Sequence, residues 1–450
     1  MAKLRDTLAT LLIFLSLTVC CVATHANDDH SLRGAYTVPD GDVVVISPFD
    51  GKLRFFMQNG RTGSLVKVKD GTYVGNEPGQ TDTETAHTLL TAETGMILNW
   101  EGDDHSLTQV PIKETDYPFP SGKLNIAGRL VAPANGNYVG LVILVHGSER
   151  YSALDNSYLP YLLAANGLAT FVFDKRGTGS SDGAYTQDFS LLADDVVAAI
   201  NFVDTIPQVD SLPIMLAGFS QGGWVAPLAA AQSTEVDAIL VGYGPAVSLF
   251  EEDRWGYVYW LEKEGYTADD IAKADQLHAM FTDMRTRGRP DRWGEIKPLI
   301  DKYQGEQWYR EGIKNTDSSL PALTHNPVPL TVMYWWTSLF GLELFVDYDP
   351  IPVLQKLDIP SYWLFAGEDA SQPTDASVVN LEKLASAGKP IGYKIYPDTG
   401  HGIAVFEQGE GRERAFLAYH PDYYSDMINW LRDQAVNQQK VSDVTAKLKQ

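Results

Sequence analysis

Pro213-Ile214-Met215-Leu216-Ala217-Gly218-Phe219-Ser220-Gln221-Gly222-Gly223-Trp224-Val225-Ala226-Pro227-Leu228-Ala229-Ala230-Ala231 decides the fold. Its first half is a continuous apolar run, as a strand buried on both faces of a parallel sheet requires. Its last part is compatible with a helix. Between them stands Gly218-Phe219-Ser220-Gln221-Gly222, a turn so sharp that flanking side chains would collide, which explains the two glycines. A strand, a serine at the apex and a helix together form the setting of a nucleophile elbow.

Outward from this turn the same alternation repeats. Leu141 to Val145, Ala169 to Phe173 and Ala238 to Val241 are further apolar runs. Leu192, Val196, Ala199, Ile200 and Val203 recur at helical spacing, so a helix there packs its stripe on the sheet. Tyr362 to Phe365 and Tyr393 to Tyr396 restore the strand pattern near the end, Tyr423 to Ala435 supplies a closing helix, and the polar tail after Gln438 is expected to fray. From Val247 to Asp347 the alternation breaks into a helical stretch rich in Trp, Tyr and charge, read as an inserted cap over 247–347. Within it, Val328 to Val346 with Met333-Tyr334-Trp335-Trp336 is apolar but interrupted by Pro329, Gly341 and Glu343, which suits a pocket wall or cap core better than a membrane span.

Ahead of Asp116 the pattern differs. Val43 to Ile46, Leu53 to Met57, Leu65 to Val68, Met96 to Trp100 and Leu107 to Ile112 are short β-prone runs. Asp40-Gly41, Asp50-Gly51, Asn59-Gly60 and Asp70-Gly71 between them favour tight hairpins. An antiparallel sandwich or small barrel follows, without a constellation of acid, base and nucleophile. The expected class is therefore α/β: a doubly wound, mostly parallel sheet with an inserted helical cap over 116–450, preceded by a small all-β domain over 27–115.

Residues 1–26 carry Lys3 and Arg5, then an apolar run from Leu8 to Val22, then Ala23-Thr24-His25-Ala26, the pattern of a secretory signal peptide. An exported protein, periplasmic or secreted, follows, with no membrane span once the leader is removed. Cys20 and Cys21 both lie in that segment, so the mature chain has no thiol for catalysis or disulfides. The formal charge of −23 repels nucleic acid and anionic lipid, and otherwise serves solubility.

A serine hydroxyl is a poor nucleophile at neutral pH and needs a base, expected in the loop after the last strand, where Gly400-His401-Gly402 stands. The imidazole needs a carboxylate from the loop after the preceding strand, Ala366-Gly367-Glu368-Asp369-Ala370-Ser371-Gln372-Pro373, in which Asp369 is favoured over Glu368. Glu368 is then a solvated turn carboxylate. Acyl transfer also builds an oxyanion that backbone N–H groups must meet. Gln221 supplies one donor and Ser148, in His146-Gly147-Ser148-Glu149-Arg150, the other. His146 has no metal-spaced partner and is expected to make a structural hydrogen bond. The Asp174 to Gly183 segment lacks the ending of a phosphate loop and reads as a glycine-rich turn braced by Asp174 and Arg176.

His146-Gly147-Ser148, Asp174-x-Arg176-Gly177-x-Gly179-x-Ser181, Gly218 to Trp224, Gly367 to Pro373 and Gly400-His401-Gly402 together resemble the α/β-hydrolase superfamily. The resemblance spans Asp116 to Arg432. It is to the bacterial branch of esterases and serine-aminopeptidase-like hydrolases with an N-terminal β domain. Two departures stand out: the acid loop is one residue shorter than usual, and Glu149 replaces a common glycine. The resemblance implies fold and reaction type, not substrate; the expected function is a serine hydrolase of small carboxylic esters acting without metal or cofactor. An aminopeptidase using Glu251, Glu252 or Asp253 to bind a free amino terminus, an acyltransferase, and a catalytically silent binding protein are the alternatives; a solvated helix face is the plain reading of those carboxylates.

Overall fold

The computed structural model describes residues 30–49, 51–79, 87–92, 95–100, 102–286, 292–325 and 348–448. Residues 1–26, expected to be a leader, and the Val328 to Val346 stretch lie outside them.

Strands β1 to β8, at Gly34–Thr37, Val43–Phe49, Lys52–Met57, Thr62–Lys69, Thr72–Gly75, His87–Ala92, Gly95–Trp100 and Asp103–Gln109, form a closed antiparallel barrel. Closure comes from β1 pairing with β8 at Tyr36 with Gln109 and Thr37 with Thr108. Gly41, Gly51, Gly60 and Gly71 all have positive φ, as the hairpin reading expects. Val44 and Ile46 of β2, with Phe55 and Met57 of β3, fill the barrel core. The alternate residues Val43, Val45 and Phe56 point out of the barrel yet are also buried, packed on the following domain. That is why Val43 to Ile46 is apolar without alternation.

The expected run Leu107 to Ile112 is two strands. Pro111 has no N–H to give a ladder and separates β8 from β9 at Ile112–Asp116. β9 leaves the barrel and joins the large sheet by pairing with β12.

After a short hairpin, β10 at Phe119–Ser121 and β11 at Leu124–Ile126, come β12 at Gly128–Pro133, β13 at Leu141–Val145, β14 at Ala169–Phe173, β15 at Ile214–Phe219, β16 at Val236–Gly242, β17 at Ser361–Ala366 and β18 at Ile391–Tyr396. Their order is β18-β17-β16-β15-β13-β14-β12-β9. All neighbours from β14 to β18 run parallel, and β12 is antiparallel to both its partners. Both faces are covered. Ile143, Leu216, Val241 and Phe365 face one apolar cluster with the helices Phe189–Val203, Gly222–Ala230 and Thr374–Ser386. Leu144, Ala217, Leu240 and Leu364 face the other, with the helices Leu159–Ala165 and Tyr423–Leu448. The last helix does not fray at Gln438. It runs on to Leu448, and Gln439 donates to the Val139 carbonyl at 2.8 Å.

The cap starts with the helix Leu249–Lys263, closed at its N-terminus by a capping box between Ser248 and Glu251. Helices Ala268–Thr286, Trp293–Tyr303 and Leu320–Thr324 follow. They share a separate core built on Tyr257, Leu277, Phe281, Ile296 and Trp308. Past β18, a small antiparallel sheet, β19 at Thr399–Gly400, β20 at Ala404–Gln408 and β21 at Arg414–Tyr419, precedes the last helix.

Candidate active site

Ser220 sits between β15 and the Gly222–Ala230 helix with φ of 52°. A left-handed, non-glycine residue is costly and marks a turn held by its surroundings. The surroundings are tight. A Cβ on Gly218 would lie 2.2 Å from the Gly222 carbonyl oxygen, and one on Gly222 would lie 2.4 Å from that of Val145. Glycine is therefore required on both sides of the serine.

His401, after β19, brings its Nε2 to 3.0 Å from Ser220 Oγ. Its Nδ1 lies 2.9 Å from Asp369 Oδ2. The other oxygen of Asp369 accepts from the N–H groups of Ser371 at 2.9 Å and Gln372 at 3.0 Å. That fixed, buried carboxylate sets the imidazole tautomer with its proton on Nδ1, leaving Nε2 free to accept from the serine. Burial lowers the His401 pKa, but the charge and hydrogen bond of Asp369 outweigh it, so the net position is above 6.5. Three sequence-expected residues thus meet at one point.

Glu368 is a half-exposed turn carboxylate, as expected, but it is also paired. It accepts from Lys263 at 2.9 Å and Tyr259 at 3.0 Å, both on the first cap helix. Arg414 of β21 donates to the Glu368 carbonyl at 2.7 Å and also to the Tyr259 hydroxyl. Trp255 donates to the Asp369 carbonyl at 2.9 Å. The acid loop is short, and these side chains fasten it to the cap.

The loop after β13 is held by three successive carbonyls. Lys175 Nζ donates to the Gly147 oxygen and, at 3.3 Å, to that of Glu149, while Tyr185 donates to the Ser148 oxygen at 2.7 Å. A trans peptide points its N–H opposite its C=O, so drawing the Gly147 carbonyl toward Lys175 turns the Ser148 N–H the other way. Gly147 itself packs against the serine: a Cβ there would lie 3.3 Å from Ser220 Cβ. The N–H groups of Ser148 and Gln221 donate to no acceptor among the described residues. Burial pushes the Lys175 ammonium down to about 8, with Glu149 opposing and Arg150 adding to the shift. Lys175 escaped the sequence reading. Its one signal was a cation placed directly after a buried strand.

His146 Nε2 makes no hydrogen bond among the described residues, and the hydrogen bond acting on its ring is with backbone of its own residue. Its ring packs edge-on against Phe173, and burial, with the nearby Lys175 charge, lowers its pKa to about 3. It is a neutral packing ring. Asp174 and Arg176 do brace their turn: Asp174 accepts from Ser152, Leu154 and Ser180, and Arg176 forms a two-pronged pair with Asp195 at 2.7 Å.

Ser220 and His401 stand between two cavities. An inner one of about 490 Å³ is lined by aromatic residues, and an outer one of about 670 Å³ lies under the cap. The outer cavity has an acidic wall of Glu252, Asp253 and Asp317. Of the cap carboxylates, Glu251 is spent in the capping box. Asp253 accepts from His278 at 2.7 Å and from Ser319. Glu252 is half-buried; loss of solvent around its carboxyl, with Asp253, Asp317 and Asp369 nearby, raises its pKa well above the usual carboxylate range. Glu251 is on a solvated helix face, as expected, whereas Glu252 and Asp253 are half-buried and line the cavity.

Residues 136–333 match the family model described as serine aminopeptidase, S33. That stretch is less than half of the chain, and over it the sequence is similar to this family; the mostly parallel sheet with helices on both faces has the α/β-hydrolase arrangement. An uncharacterised 31.7 kDa protein from the traX-finO intergenic region of Escherichia coli is 26% identical over 291 residues, 62% of this chain and 89% of that protein. The chain is also similar to the Pyrococcus furiosus esterase, at 14% identity and a TM-score of 0.44, over 72% of this chain and 92% of that one. An acylaminoacyl peptidase from Pyrococcus horikoshii matches at 16% identity and a TM-score of 0.43, over 89% and 56% of the two chains.

Proposed function

We propose that the hydrolase domain cleaves carboxylic esters through an acyl-enzyme on Ser220. His401 takes the serine proton as the hydroxyl attacks the carbonyl carbon. Asp369 orients the imidazole and stabilises the imidazolium. Ser148 and Gln221 N–H groups meet the oxyanion. His401 returns the proton to the leaving alcohol, then draws one from water as it attacks the acyl-enzyme, and gives that proton to Ser220 Oγ as the ester bond to the serine breaks and the acid leaves. The supporting observation is the relay itself: a left-handed serine 3.0 Å from an imidazole that is 2.9 Å from a buried carboxylate. Ser220→Ala is expected to cut p-nitrophenyl acetate turnover by at least about 10⁴-fold with an unchanged circular dichroism spectrum. Turnover retained in that variant would remove the assignment.

The acidic wall of the outer cavity favours a second reading, an aminopeptidase that places a substrate ammonium against Glu252 and Asp317. Comparing aminoacyl naphthylamides with short acyl esters separates the two. Export is part of the proposal and rests on residues 1–26 alone; N-terminal sequencing of protein recovered outside the cytoplasm checks it.

A further inference from the structure

The inner cavity is not made by the hydrolase domain alone. Phe49, the last residue of barrel strand β2, lines it together with Ser220 and His401. The barrel is seated there by a continuous seam. Phe56 stacks on Tyr158 with ring centroids 3.8 Å apart, and Phe49 meets the edges of Phe56 at 5.5 Å and Tyr158 at 5.9 Å. Tyr419, which also lines the cavity, donates its N–H to the Gly60 carbonyl at 2.9 Å. Arg33 and Ser47 of the barrel region donate to the carbonyls of Leu154 and Ser157. Removing the barrel would open the cavity on one side.

The lining has a chemical bias. Eight of its twenty-three residues are Phe or Tyr, against 39 of the 450 in the whole chain. Among them, Tyr243 sits edge-on to the His401 ring at 5.0 Å, and Phe219 flanks Tyr243 at 5.8 Å. Rings set at steep angles to one another offer both faces and edges, which suit a flat aromatic guest better than a flexible alkyl chain. A volume of about 490 Å³ falls in the range of small-molecule sites.

Resting on the ester-hydrolase reading above, we infer that the inner cavity is the acyl site, that it takes an aryl-alkanoyl group, and that Phe49 of the barrel is a specificity-determining residue. The acyl ring enters between Phe49, Tyr158 and Tyr243. The carbonyl carbon then stands at Ser220 Oγ, and the alcohol leaves toward the outer cavity.

The test is steady-state kinetics of the full-length protein on p-nitrophenyl acetate, hexanoate and phenylpropanoate, with Phe49→Ala and, should that variant fold poorly, Phe49→Leu. Phenylpropanoate is expected to exceed hexanoate in kcat/KM in the unaltered protein. Both variants are expected to lower kcat/KM for phenylpropanoate by about tenfold, the size of one ring contact, chiefly through KM, and to lower it for acetate by a smaller factor. Hexanoate preferred over phenylpropanoate, or equal losses on acetate and phenylpropanoate, would overturn the inference while leaving the ester reading intact. Absence of turnover on all three esters, with activity on aminoacyl naphthylamides, would overturn both.

Discussion

The proton on His401 sets the pH dependence of the proposed chemistry. The imidazole must be neutral to accept from Ser220, and its pKa stands above 6.5 because Asp369 outweighs the effect of burial. kcat/KM should therefore rise with pH through a midpoint above 6.5 and be lost below it. Asp369→Asn removes the cause of the upward shift. It should move that midpoint down and reduce kcat by about 10⁴-fold, since the amide also favours the wrong tautomer. A pH–rate profile of both proteins checks the two effects together. Lys175 acts one step further out, through the carbonyls it holds. Lys175→Met should lower kcat by about 10- to 100-fold with KM little changed, because the donor it orients is used only in the transition state. Lys175→Arg should restore part of the loss.

The elbow is held by backbone clearance, so its glycines bear on folding as well as chemistry. Gly222→Ala would drive a methyl to within 2.4 Å of the Val145 carbonyl oxygen. It should cost about 3 kcal/mol or more and lower the thermal midpoint in calorimetry. This element was legible in the sequence because one short stretch carries strand, turn and helix together. Chain order around it then located His401 and Asp369. What escaped reading depends on contacts between distant segments. Glu368 finds Lys263 and Tyr259 some hundred residues upstream, and Lys175 finds carbonyls at Gly147 and Glu149. Neither pairing leaves a periodic trace in sequence. The small sheet of β19 to β21 also went unread, since β19 has only two residues and β20 and β21 are at most half-buried. The polar end of the last helix looked frayed because a helix anchored at a few points needs no continuous apolar stripe.

Two folded units meet along an aromatic seam in the whole molecule, and the proposed catalytic relay lies close to that seam. β2 of the barrel is apolar on both faces, and β3 adds Phe56 to the outer one, because one face fills the barrel and the other packs on the hydrolase domain. Phe56→Ala empties the ring stacked on Tyr158 and should cost about 3 to 5 kcal/mol. Denaturant titration followed by tyrosine fluorescence would register it, and a variant as stable as the parent would show that the seam does not bind the units together. The central claim concerns Ser220 alone: its hydroxyl is activated by His401 and accepts the acyl group. The most direct test is to treat the intact protein with a fluorophosphonate and map the adduct by peptide mass spectrometry. A single adduct on Ser220, lost in His401→Ala, is the expected result; no adduct, or one on another residue, would contradict the account.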